Sequence, residues 1–416
     1  MKRTITLLYC LLVVAAWTCT ASAHNIFSNN VKSLQVMVNG DWRSMPVMRL
    51  GTNDRLYIGF DELSHDFHRM KYRIEHLEID GSVSQEIFES DYLVGMNDLL
   101  IDDYEQSVNT NLLYTHYSIN IPHDRCHLKL SGNYRLRVFD EDNDDELVLE
   151  AFFYVVEPLM NVGLSVDTNT DIDYNAQHQQ VSMTVNYNNV RVTNPDDQIF
   201  TLVYQNGINS IAEKRVNVRP NLRNDHSLQW VHNKALIFKA GNEFRKFEML
   251  DVDRNSMGIE RVRWDGELFN AWLFTDEPRP NYLTDVDADG AFIIRNSYNS
   301  EIDYTCEYIK VHFTLKSPFS DFCPVINGAW TNEGETSQYN MQWDEEQQLW
   351  NATILLKQGY YNYQYLLPQS SEGDFIGLPS EGNYFQTENR YQAFVYYKPI
   401  GAHTWQLVGY QQVTMK

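Results

Sequence analysis

The sequence predicts an all-β protein made of serial antiparallel β-sandwich domains of the Ig-like, early-set kind. Three observations lead there. Apolar residues recur with period two almost everywhere, as strands with one buried face require. Candidate strands follow one another at roughly ten-residue spacing, separated by Asn, Asp and Gly turn signals. Tyrosine is abundant, with 26 copies, and aromatic rings suit pleated, half-buried surfaces.

Taken in order, Leu34, Val36 and Val38 alternate with Ser33, Gln35 and Met37, and Asn39-Gly40 then supplies a hairpin-type turn. Within residues 89–100, Tyr92, Met96 and Leu99-Leu100 recur at helical spacing, which makes this the best helix candidate, with a structured loop as the alternative. Tyr134, Leu136 and Val138 run into an acidic tip, Asp140 to Asp145, and the chain returns through Leu147, Leu149, Ala151, Phe153 and Val155, a hairpin with a charged loop. Val181, Met183, Val185 and Tyr187 form another alternating strand, and Tyr361, Tyr363 and Tyr365 a late one.

A chain of 416 residues exceeds one sandwich, and about two to four domains are expected. Val156-Glu157-Pro158 closes a hairpin, and Lys316-Ser317-Pro318 follows a strong strand. The expected domains are therefore residues 24–157, 158–317 and 318–416. Ahead of them, Lys2 and Arg3, the apolar run from Ile5 to Trp17 and Ala21-Ser22-Ala23 read as a cleaved signal peptide of residues 1–23. The run is too short for a comfortable membrane span. Cys19 raises lipidation as an alternative, but Ala16-Trp17-Thr18 is a poor context for it.

The formal charge is −23, and loss of the two cations Lys2 and Arg3 takes it to −25. Such a chain repels nucleic-acid phosphates and anionic headgroups, so neither is expected as a partner. It permits attraction to a basic partner surface, although a solvated acidic exterior explains the charge as well. After cleavage Cys126, Cys306 and Cys323 remain, which allows at most one disulfide, and Cys306 with Cys323 is the nearer pair. Their pairing is open at this level.

Catalytic signatures are absent: no GxSxG, HExxH, P-loop or GxGxxG occurs, and no Cys/His grouping suggests zinc. No enzyme and no cofactor is expected. Asp285, Asp287, Asp289 and Gly290 imitate the opening of a calcium loop, but Asn296 stands where a bidentate Glu belongs, so a turn feeding the strand Ala291-Phe292-Ile293-Ile294 is preferred. The Asp140–Asp145 tip offers calcium a weak site by the same electrostatics, but a solvated hairpin tip is the preferred reading. Trp330, Trp343 and Trp350 with Tyr360 to Tyr365 resemble the aromatic platform of glycogen-binding sandwiches, which makes carbohydrate binding the rival function; core packing is the preferred reading of these rings.

The run from Ile101 to Tyr117 carries Asp102, Asp103, Tyr104, Ser107, Asn109, Thr110, Tyr114 and Tyr117. Pro46-Val47, Leu50-Gly51, Phe60-Asp61 and Leu63 precede it; Ile121-Pro122, Ser131 to Leu136 and Phe153 to Glu157 follow. This ordered set resembles the plug proteins of the type IX secretion system across the first mature domain, with weaker similarity beyond. It departs from them where His76 is followed by Leu77 and where Gly81 stands near an expected Trp. The resemblance implies a periplasmic, non-enzymatic subunit that binds the periplasmic mouth of a very large outer-membrane β-barrel translocon and keeps it closed. It also marks the eight motif residues as loop supports or partner contacts.

Overall fold

The computed structural model describes residues 24–207, 212–332, 336–368 and 375–415. The expected leader, with Cys10 and Cys19, lies outside the described residues. Nearly every element is a strand, in mainly antiparallel sheets that face each other in pairs across three apolar cores. Among the described residues no helix is long and apolar enough to cross a membrane.

The first sandwich encloses its core between a six-stranded and a four-stranded sheet. The predicted hairpin is its backbone: Gly132–Asp140 pairs with Glu146–Val156, setting Tyr134 opposite Phe153, Leu136 opposite Ala151 and Val138 opposite Leu149, all fully buried. Alternation of the apolar side chains fixes this register, since a one-residue slip would turn all of them away from this core. The second sheet orders Val31–Val38, Leu56–Glu62, Thr115–Ile121 and Asp103–Gln106. Asn39 and Gly40 both take positive φ, the conformation of a type I′ turn. The helix expected over residues 89–100 shrinks to a single turn, Glu89–Tyr92. Leu93–Gly95 leaves it as a strand paired with Cys126–Leu128, because the backbone gains a ladder partner there and Gly95 takes a φ of 115° no helix allows.

The expected boundary at 317/318 falls inside a sheet. Tyr308–Leu315 lies beside Leu349–Lys357 on one side and Phe269–Leu273 on the other. Residues from Phe247 to Leu378 thus share one core. Of the last two strands, Arg390–Tyr397 returns to pair with Ile199–Gln205 and Gln406–Thr414 pairs with Arg390–Tyr397, completing the core begun at Met160. The third sandwich is therefore an insertion in the second rather than its successor. A smaller apolar cluster, with Met45, Tyr154, Leu202, Phe394 and Leu407, joins the first sandwich to the second.

Candidate functional site

The motif run forms the junction between the first and third sandwiches. Ser107 closes its loop: its backbone N–H donates to the Tyr114 carbonyl at 2.8 Å, and its hydroxyl accepts from the Tyr114 N–H at 3.0 Å. Asn109 sits in the left-handed region at φ 59°, which Asn tolerates better than most side chains. The loop so shaped reaches the third sandwich. The Val108 N–H donates to the Tyr304 carbonyl, and the Asn111 backbone and side-chain N–H groups both donate to the Glu307 carboxylate at 2.7 Å. The Tyr114 hydroxyl donates to the Cys306 carbonyl at 2.9 Å. Tyr117 instead braces its own domain, accepting from the His68 N–H and donating to the His68 carbonyl.

Asp102, Asp103 and Tyr104 face outward. Asp102 pairs with Arg125 at the surface, and Asp103 accepts from the Ser118 hydroxyl. Tyr104 is exposed and stacks on Phe67 with ring centroids 4.4 Å apart. The Thr110 hydroxyl is buried with no hydrogen-bond partner among the described residues.

Beneath the motif lies a buried polar network that sequence reasoning did not assemble. Asp61, 0 % exposed, accepts from His116 at 2.6 Å, from the Tyr308 hydroxyl at 2.6 Å and from the Lys357 ammonium at 2.7 Å. Lys357 also donates to the Asp303 carbonyl and lies 4.2 Å from the Tyr114 ring centroid. Ser33, at φ 58° in a strand bulge, bonds the Tyr308 hydroxyl at 2.7 Å; bulges re-aim side chains in this way. Burial alone would raise the Asp61 carboxyl, but the charge of Lys357 and the hydrogen bonds and charge of His116 outweigh it and hold it below the usual carboxylate range. Burial pushes the Tyr308 hydroxyl well up, and the charge of Asp61 adds to that. One signal was available: Lys357 is the single cation ending the apolar run Ile354-Leu355-Leu356.

The grouping of Ser33, His116 and Asp61 does not make a nucleophile. The other ring nitrogen of His116 meets the Tyr57 hydroxyl at 3.0 Å, and Ser33 is engaged with Tyr308 rather than with the imidazole. A catalytic serine must hydrogen-bond its base and reach substrate, and here Asp61, Tyr308 and Lys357 are closed off from water.

A second clasp centres on Arg390. From the second sandwich its guanidinium pairs with Asp289 and donates to the Ala288 carbonyl of the third and to the Arg43 carbonyl of the first. The Asp-rich turn is thereby accounted for. Asp285 pairs with Lys246; Asp287 accepts from the backbone N–H groups of Phe244 and Asp289; Gly290 takes a φ of 90°. Burial raises the Asp287 carboxyl well above its ordinary range and Asp289 less so, the reverse of what a cation site needs. Among the described residues no group of His, Cys, Asp and Glu side chains is disposed to hold a metal.

The proposed sugar platform is mostly core. Trp350 and Trp330 are buried, the latter donating its indole N–H to the Asn362 carbonyl at 2.8 Å. Trp343 and Tyr360 are partly open, and Trp343 is tilted against Trp350 at 5.2 Å. Cys126, Cys306 and Cys323 are all free, so Cys306 and Cys323 are not bonded.

What the geometry defines is a β-sandwich protein whose domains are clasped by buried polar side chains. Residues 31–157 match the family described as the type 9 secretion system plug protein, 1st domain. A structurally characterised hypothetical protein from Parabacteroides merdae is 36 % identical, over 94 % of this chain and 99 % of that one, with a TM-score of 0.89. No curated protein matches. The chain belongs to the type IX secretion system plug protein family.

Proposed function

We propose that this protein is the non-enzymatic periplasmic plug of type IX secretion, exported by its N-terminal segment, which binds the periplasmic opening of the large outer-membrane β-barrel translocon and keeps the pore closed. The observation that carries the reading is that the family's motif loop is spent on locking the first sandwich to the third, through Tyr114, Asn111 and the Asp61–Lys357 pair beneath them. A plug has to present a fixed shape to a pore, and buried polar contacts between domains specify one relative placement. No bond-making chemistry is required of it.

The test is affinity purification of the tagged protein from detergent-solubilised envelopes of its own host, with mass spectrometry of what comes down. A very large outer-membrane barrel in near-stoichiometric amount is expected, and deletion of the protein should make the outer membrane leaky to small solutes. Recovery of the protein alone, with unchanged permeability on deletion, would refute the reading. The carbohydrate alternative has lost its platform to the core of the third sandwich.

A further inference from the structure

One face of the third sandwich is already a docking surface at one end. Along Tyr308–Leu315 and Leu349–Lys357, alternate side chains point away from the core, and Tyr308 stands opposite Lys357 in the register. These two take the Asp61 carboxylate of the first sandwich and are buried by it. The same outward row continues to Lys310 and His312, which are partly open to solvent, with Thr353, opposite His312, exposed.

Two further strands extend the face. Arg261 opposes Trp272, and Trp272 opposes His312. The Arg261 guanidinium lies 4.5 Å from the Trp272 ring centroid, and the His312 ring stacks on it at 4.6 Å and 10°. They come from the strands on either side of Trp272, so both faces of the indole are covered and it meets solvent edge-on. A sugar ring has nothing to stack on. In the next row Arg263 opposes Asn270, and Asn270 opposes Lys310.

The charge of this face runs against that of the chain, which has 56 acidic and 33 basic side chains. On four of the sheet's five strands, Ile259–Trp264, Phe269–Leu273, Tyr308–Leu315 and Leu349–Lys357, the only carboxylate is Glu260, at the bulge before Arg261 and 3.8 Å from its guanidinium; the edge strand Gln342–Asp344 adds Asp344. Asp265, in the turn that follows, takes Lys310 at 3.2 Å. Arginine and tryptophan together are the residues that most often carry the energy of protein interfaces.

We infer that this open face, centred on Arg261, Arg263, Trp272, Lys310 and His312, docks on a carboxylate-bearing protein surface. It would repeat with a partner the acid-on-base contact that Asp61 makes with Lys357 within the chain. The inference rests on the plug reading, which supplies the partner: the carboxylates belong to the periplasmic mouth of the barrel.

The experiment compares three tagged full-length proteins in the pull-down from host envelopes: wild type, Arg261→Glu/Arg263→Glu/Lys310→Glu, and the control Arg55→Glu/Lys129→Glu/Arg191→Glu, whose positions are all exposed but lie on other sandwiches. The glutamine version of the first triple stands in if charge reversal shifts the melting temperature. Expected are recovery of the barrel by wild type and control, at least a tenfold loss with the face variant, and a fall in wild-type recovery as salt rises. Wild-type recovery by the face variant would overturn the assigned surface and leave the plug reading standing. Equal loss by the control would also overturn it, as a general charge effect. Failure of the wild type itself to recover a barrel would remove the plug reading and this inference with it.

Discussion

The Asp61 carboxylate and the Lys357 ammonium, 296 residues apart in sequence, meet at 2.7 Å with both side chains about 1 % exposed. They join the first sandwich to the third at the point where the motif loop crosses between them. Removing either partner leaves the other charged and buried. Asp61→Asn and Lys357→Met should each cost about 3–5 kcal/mol in urea unfolding, while the double variant Asp61→Asn/Lys357→Met should lose markedly less than the sum of the two. Strictly additive losses would show that the pair is not coupled.

The pH dependence follows from the sign of the Asp61 shift. Its folded value lies below the unfolded one, near about 3.9. A depressed carboxyl contributes its stability in full above the unfolded value and loses it as pH falls through the folded value. The gap between wild type and Asp61→Asn should stay level from neutral pH to about 5 and close below about pH 4. A gap that widens on acidification would contradict the assignment.

Arg390 touches all three sandwiches through Asp289, Ala288 and Arg43. Arg390→Met strands the Asp289 carboxylate and should destabilise by about 3–5 kcal/mol. Arg390→Lys should rescue little, because an ammonium lacks the planar fork that reaches three acceptors at once. Amide hydrogen exchange at residues 43 and 288–289 reports the loss directly; lysine restoring wild-type protection there would refute the role of the fork.

The motif members divide by what they touch. Tyr114→Phe deletes one hydrogen bond to the third sandwich and should cost about 1 kcal/mol. Tyr104→Ala, at the surface, should cost less than about 1 kcal/mol, yet it removes an exposed ring pair with Phe67. Thermal melts of the two variants separate these roles, and a larger loss at Tyr104 than at Tyr114 would reverse them.

The Asp-rich turn makes a negative prediction. Asp285, Asp287 and Asp289 are committed to Lys246, backbone N–H groups and Arg390. Millimolar calcium or chelator should leave the melting temperature unchanged, since a ligand of the native state alone would raise it. A shift of several degrees with calcium would reinstate a cation site.

Strand content, the hairpin Gly132–Asp140 with Glu146–Val156, the turn at Asn39-Gly40 and the family's motif run were legible in the amino-acid sequence. These are local: a period of two, a turn residue and a short ordered motif are written in neighbouring positions. The segment at residues 89–100 marks the edge of that legibility, because helical spacing over so short a run was overridden by a strand partner at Cys126–Leu128. Which strands share a sandwich and which polar residues meet depends on contacts between distant parts of the chain. Arg390–Tyr397 pairs with Ile199–Gln205 across nearly half the chain, and Asp61 finds Lys357 across more than half. Nothing local distinguishes Asp61 or Arg390 from other charged residues. What selects them is withdrawal from water, which makes a buried charge costly unless its partner is in place, and that condition exists only once the three sandwiches have closed on one another.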